Sequence, residues 1–186
     1  MKIGLARHYD VNVRRPGTGC LLTPRQFIEF VQAYDGATCI KPQSRLDTGQ
    51  FSACLSSDLP RALHTAEHMH SGRITVTPEL RELAIHPFTQ RHVRLPLFLW
   101  LIFGRLAWLL SHKSQVESKR LLSQRVGRVV DAIVNSGNAD ILIVTHGITM
   151  YFLRKELRRR GFKGPGWRIA SKGVVLLYER SEDGVR

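Results

Sequence analysis

The stretch MKIGLARH, Met1 to His8, reads as a short apolar strand that ends on an arginine and a histidine. Polar and ionised groups are costly to bury without partners. A buried strand closing on Arg7 and His8 therefore needs a fold that brings compensating chemistry to its end. The same pattern recurs along the chain. Strand candidates are Lys2–Ala6, Phe51–Leu55, Ile74–Val76, Ile141–Thr145 and Val174–Tyr178. After the second comes SSDLPRA (Ser56–Ala62), with Arg61 in the first turn of a helix. After the third comes PELREL with Glu82, and after the fourth, in ILIVTHG, the pair His146-Gly147. Helical patterns lie between most of the strands, which predicts an α/β layered domain. In open α/β sheets ligands bind beyond the carboxyl ends of the strands. Two arginines, two histidines and a carboxylate are thus expected to converge there.

The helices carry their own signals. Thr23-Pro24-Arg25-Gln26 is a capping box with proline at the first helical position, Leu22 and Phe27 stand at staple positions, and the helix is expected to stop near Gly36. A second helix is expected after Asp58, with Pro60 in its first turn, ending at Gly72. A third is expected from the capping box Ser114-Gln115-Val116-Glu117, in which Glu117 partners Ser114. The fourth runs from about Ile148 to Arg160, and its basic end suits the helix dipole.

Composition narrows the class. The chain has 186 residues, enough for one well-packed domain, and 28 Lys+Arg against 15 Asp+Glu give a net charge of +13. Such a surface attracts anions: phosphorylated metabolites, nucleic acid or an acidic membrane face. Cys20, Cys39 and Cys54 lack metal-type spacing and read as free thiols in a reducing compartment. With no signal-peptide pattern at Met1–Ala6, the location expected is cytoplasmic. The segment LPLFLWLIFGRLAWLL, Leu95–Leu110, is interrupted by Arg105 and falls short of the roughly 18 to 20 apolar residues of a membrane span. It reads as a buried or cap helix, with membrane-surface docking or self-association as the lesser alternative.

LARH, SSDLPRALHTAE, LRE and VTHG, in this order, resemble the histidine phosphatase superfamily, the phosphoglycerate-mutase-like fold, from about Lys2 to Tyr178. FIEFVQAYD, VESKRLLSQRV and GFKGPGW are similar to a bacterial subgroup of small members. The resemblance implies a single three-layer α/β/α domain over residues 1–186, with an apolar helical insertion at about 87–113 covering the active site. It implies a metal-independent phosphomonoester hydrolase with no cofactor, acting on a small phosphorylated substrate. His8 would be the nucleophile, forming a phosphohistidine. Arg7 and Arg61 would chelate phosphate, His146 would add a third contact, and Glu82 would protonate the leaving oxygen and then activate water. The family pattern usually has glycine after the Arg-His pair, where this chain has Tyr9.

Other residues compete for roles. Ser57 is a candidate phosphate contact or a turn cap, and Glu79 is the rival of Glu82. Arg14 and Arg15 are candidates for a second anionic group of the substrate. Mutase and protein phosphohistidine phosphatase activity are the near alternatives, and a non-catalytic phosphate- or nucleic-acid-binding module is the distant one. Nucleic acid is not the expected partner, and a membrane span is not expected. His64-Thr65-Ala66-Glu67-His68 matches the zinc-peptidase pattern H-x-x-E-H. At 100° per residue, however, both histidines lie roughly 140–180° from Leu59 on the face opposite the apolar one, and are expected to face solvent.

Overall fold

A computed structural model describes residues 1–44, 48–137, 140–166 and 171–181; Trp167, the last residue of GFKGPGW, lies outside them. The central sheet has five strands: β1 (Lys2–Arg7), β5 (Ala53–Ser57), β6 (Ile74–Thr77), β8 (Ile141–Thr145) and β9 (Val175–Glu179), in the order β6-β5-β8-β1-β9. The first four run parallel, and β9 closes the edge antiparallel to β1. Three two-residue strands, β2 (Asp10–Val11), β3 (Leu21–Leu22) and β4 (Cys39–Ile40), precede β5, and a fourth, β7 (Leu95–Pro96), follows β6; they pair as β2–β4 and β3–β7.

Side-chain alternation divides the core into two layers, as a sheet covered on both faces requires. Ile3 and Leu5 of β1 and Ile141 and Ile143 of β8 face helices α4 (Lys119–Asn135) and α5 (Gly147–Arg159), meeting Val126, Val130, Leu153 and Leu157. On the other face Ala6, Cys54, Leu142 and Val144 meet Ala62, Ala66 and Met69 of α2 (Pro60–Met69). Gly4 falls on this second face because Phe51 lies across it: a Cβ there would stand 2.5 Å from Phe51 Cζ. The architecture is three-layered α/β/α.

Helices α1 (Pro24–Gly36) and α3 (Leu97–Leu109) build a third, smaller core beside the sheet. The predicted capping box forms at Thr23 and Gln26. Leu22 and Phe27, the staple pair, are buried with Trp100, whose ring stacks on Phe27 at 5.5 Å between centroids. The indole N–H is satisfied by the Leu22 carbonyl at 2.9 Å.

One helix start and one helix end differ from expectation. α4 begins after Ser118, which caps it, and not at Ser114. The Gln115 amide instead bridges the backbone N–H and carbonyl of His86 at 3.1 and 2.9 Å, and Glu117 makes a bidentate ion pair with Arg125 at 2.6 and 3.0 Å. These partners, His86 above all, hold the Ser114 segment out of the helix. α2 ends at Met69, three residues before Gly72.

Candidate active site

Parallel register sets the site. Arg7 lies opposite Thr145, and Ser56 opposite Val144, so the residues that follow β1, β5 and β8 leave the sheet at one level. A cavity of about 300 Å³ opens there, lined at its base by Arg7, His8, Arg61 and Glu82. Its walls come from Phe30, Val31 and Tyr34 of α1, from Ile85, and from Leu97, Leu101 and Arg105, one stripe of α3. α3 therefore borders the site.

His8 is buried, and its Nδ1 lies 2.6 Å from the Tyr9 carbonyl. A carbonyl can only accept, so Nδ1 carries the proton and Nε2 keeps a lone pair. Burial drives its pKa from 6.5 down to about 3. The nearby Arg61 and Arg7 push the same way, and the bond to Tyr9 opposes them. The imidazole is accordingly neutral across the physiological range.

This shift has a consequence for stability. The unfolded chain protonates His8 near pH 6.5, whereas the folded chain resists until about pH 3. The His8 contribution to folding stability is therefore fully present above 6.5 and declines as the pH falls between these values, because only the unfolded state takes up the proton. Urea midpoints measured from pH 7 to pH 4 are expected to fall more steeply for the wild type than for His8→Asn. Parallel slopes would contradict the assignment.

Arg61 is 1% exposed. Its Nη1 donates to the Tyr34 carbonyl at 3.1 Å and pairs with Asp35 at 3.0 Å, and its guanidinium sits 4.9 Å from the centre of the Tyr34 ring. Its Nε is buried and has no hydrogen-bond partner among the described residues. The Arg7 guanidinium runs along the start of α5, where a Cβ on Gly147 would lie 3.5 Å from its Cζ.

His146 is fully buried and stands behind the cavity wall, its ring centroid 5.1 Å from that of His8. Its Nε2 meets Ser57 Oγ at 2.9 Å, while Nδ1 is buried without a hydrogen-bond partner. Burial first, then the charge of Arg61, holds its pKa well below the usual histidine value. Ser57 is also buried. Its hydroxyl accepts from the Leu59 N–H at 3.3 Å, so it is engaged with His146 and the helix start and does not line the cavity.

Glu82 lines the cavity, and its carboxylate accepts from the backbone N–H groups of Ile148 and Thr149, each at 3.2 Å. It thereby caps α5 where the helix dipole favours negative charge. Its rival Glu79 points elsewhere, pairing with Arg128 at 2.7 Å. Of the arginine pair after the first strand, Arg15 lines the cavity, and Arg14 is exposed outside it.

Tyr9, which stands where the family pattern has glycine, does not enter the cavity. Its N–H donates to Thr65 Oγ1 at 3.0 Å, its hydroxyl meets His68 Nδ1 at 3.0 Å, and its ring covers Gly173. Gly173 has φ +72°, and a Cβ there would stand 2.4 Å from Tyr9 Cε1, so backbone and space both demand glycine. His68 is thus half-buried against Tyr9 and does not face solvent as the helical wheel had implied. The wheel reads one helix alone and is blind to a ring brought in from the link between β1 and β2.

Sequence reasoning missed Asp35, Tyr34 and Arg105. Asp35 had a local signal: a carboxylate in the last turn of a helix opposes the dipole and needs a compensating cation, which Arg61 provides. Arg105 appeared only as the break in an apolar run.

Among known families, the histidine phosphatase superfamily (branch 1) matches residues 41–184. Among solved structures, the chain is similar to an α-ribazole-5'-P phosphatase, described as putative, from Escherichia coli, with 23% identity, TM-score 0.52, and 84% of this chain and 79% of that one covered. It is also similar to a phosphoserine phosphatase from Entamoeba histolytica solved with phosphoserine, at 20% identity and TM-score 0.51, covering 85% and 80% of the two chains. No curated protein matches the chain. In class, then, the protein is a phosphatase built on the phosphoglycerate-mutase-like fold. It belongs to the histidine phosphatase superfamily, in branch 1. Arg7 and His8 lie before the matched span, and the position of β1 between β8 and β9 brings them to the site.

Proposed function

We propose that the protein is a metal-independent phosphomonoester hydrolase that acts through a phosphohistidine on a small phosphorylated substrate. The observation that carries this reading is the state of His8: neutral, with Nδ1–H held by the Tyr9 carbonyl and Nε2 free, at the base of a cavity where the guanidinium groups of Arg7 and Arg61 also lie. Phosphoryl transfer asks a protein mainly for positioning and for cationic donors around the phosphate oxygens. Arg7 and Arg61 supply planar forks for that purpose. The buried, unpartnered Nε of Arg61 and Nδ1 of His146 supply polar capacity that the protein itself leaves unused.

In the first step the lone pair of His8 Nε2 attacks phosphorus and the bond to the leaving oxygen breaks, with Glu82, which enters this step as the protonated acid, giving that oxygen its proton. In the second, Glu82 takes a proton from water, the water oxygen attacks phosphorus, and the P–N bond breaks to release phosphate and neutral His8. Ser57 orients His146 behind the nucleophile, and Arg15 stands where a second anionic group of the substrate would lie. The apolar insertion of the single domain, at about 87–113, lies over the site on the leaving-group side.

The test is hydrolysis of p-nitrophenyl phosphate in excess chelator, combined with rapid acid or alkaline quench of ³²P-labelled substrate. Turnover with an acid-labile, alkali-stable label on the protein is expected. Turnover that chelator abolishes, or that never labels the protein, would sink the proposal.

A further inference from the structure

The apolar segment that lines the cavity on one side is bare on another. Around α3, Trp100, Gly104, Ala107 and Trp108 are buried, and Leu97 and Leu101 border the cavity. Phe98, Ile102, Leu106, Leu109 and Leu110 face outward, between 45% exposed at Leu106 and 80% at Leu110. At 100° per residue this outward face spans about 120° of the helix, and Arg105, which borders the cavity, lies about 20° beyond its edge. A contiguous apolar face of this kind on a water-facing surface marks an interaction site.

Charge selects the occupant. From Leu83 to Val116 the chain contains no aspartate or glutamate. Arg91 and Arg94 before the helix, Lys113 after it and Arg105 at the edge of its apolar face are all exposed. In a symmetric dimer the same patch meets itself, so this surface would set cations against cations with no carboxylate to answer them. An apolar strip edged with cations instead fits the headgroup boundary of an anionic bilayer, where the apolar side chains enter the acyl region and the cations meet phosphates. No helix of the described residues is long and apolar enough to cross a membrane, so the contact would be with one surface only.

We propose that α3 docks on an anionic lipid surface and presents the cavity to amphiphilic phosphomonoesters, with the phosphate at Arg7 and Arg61 and the apolar part along Leu97, Leu101 and Val31. The substrate half of this inference rests on the phosphatase reading; the docking half does not.

The full chain is sedimented with vesicles of phosphatidylglycerol and phosphatidylcholine, and separately with phosphatidylcholine alone. Binding to the anionic vesicles is expected to weaken with salt, and to fall about tenfold or more in Ile102→Glu/Leu106→Glu and by a smaller factor in Arg94→Gln/Lys113→Gln. Neither pair lines the cavity, so both variants should hydrolyse p-nitrophenyl phosphate like the wild type, which also shows that they fold. Equal sedimentation of wild type and variants, or none at all, overturns the docking. So does a lipid-free dimer, seen by light scattering, that Ile102→Glu/Leu106→Glu dissociates. Lysophosphatidic acid carried in the anionic vesicles should be hydrolysed, and more slowly by the docking variants. If p-nitrophenyl phosphate is cleaved and lysophosphatidic acid is not, the substrate half is overturned. If neither is cleaved while vesicles still bind, the phosphatase reading fails and the docking stands.

Discussion

His8→Ala is expected to reduce kcat by on the order of 10⁴-fold or more, the scale seen when a covalent nucleophile is removed, and to abolish phosphoenzyme labelling. The size follows from what the side chain supplies. Its Nε2 is the neutral nitrogen lone pair on the cavity wall, held in one tautomer by a 2.6 Å bond to the Tyr9 carbonyl. Alanine removes the nucleophile and leaves Arg7 and Arg61 in place, so phosphate binding should survive while chemistry stops. His8→Asn is expected to be equally inactive, because an amide offers no basic nitrogen. Burst kinetics with p-nitrophenyl phosphate measure both outcomes. Residual turnover within tenfold of the wild type would mean that another group attacks phosphorus.

Arg61→Ala is expected to lower kcat/KM by about 10³-fold, in the range that a transition-state arginine contributes to phosphoryl transfer. Arg61 is almost wholly buried at the cavity base, with one arm fixed by Asp35 and the Tyr34 carbonyl. That anchorage leaves its charge pre-aimed, so binding a phosphate costs it little reorganisation. Arg61→Lys keeps the charge and loses the planar fork, and recovery of less than about tenfold is expected. Asp35→Asn separates anchoring from contact: it should lower activity far less than Arg61→Ala while leaving phosphoenzyme formation intact. Steady-state kinetics on the three variants give the ranking. An Arg61→Lys enzyme as active as the wild type would show that charge alone matters there.

The strand ends were the legible part of this protein. Strand β8 fell on Ile141–Thr145 as expected, and β1 extended only to Arg7. Alternation and apolar runs are local properties that a chain displays before it folds. The same holds for Thr23, whose capping box depends on residues three apart. His8, Arg61 and Glu82 were visible because each follows such a strand at a short, fixed distance. Ser114 misled for the complementary reason: its local pattern favours a helix, but Gln115 is claimed by His86 across the fold and Glu117 by Arg125 two turns into α4.

The sequence by itself determined that the chain is an α/β protein whose cations gather at the carboxyl ends of its strands, since periodicity and spacing are written residue by residue. Only the tertiary structure decided which side chains meet. It set Asp35 on Arg61, put Arg15 and Arg105 in the cavity wall, turned Tyr9 away from the site onto His68 and Gly173, and buried His146 behind His8. The reason is sheet order: the pairing of β1 with β8 and of β5 with β8 joins residues more than eighty positions apart. Contacts at that range depend on how whole layers pack, and no local pattern encodes them.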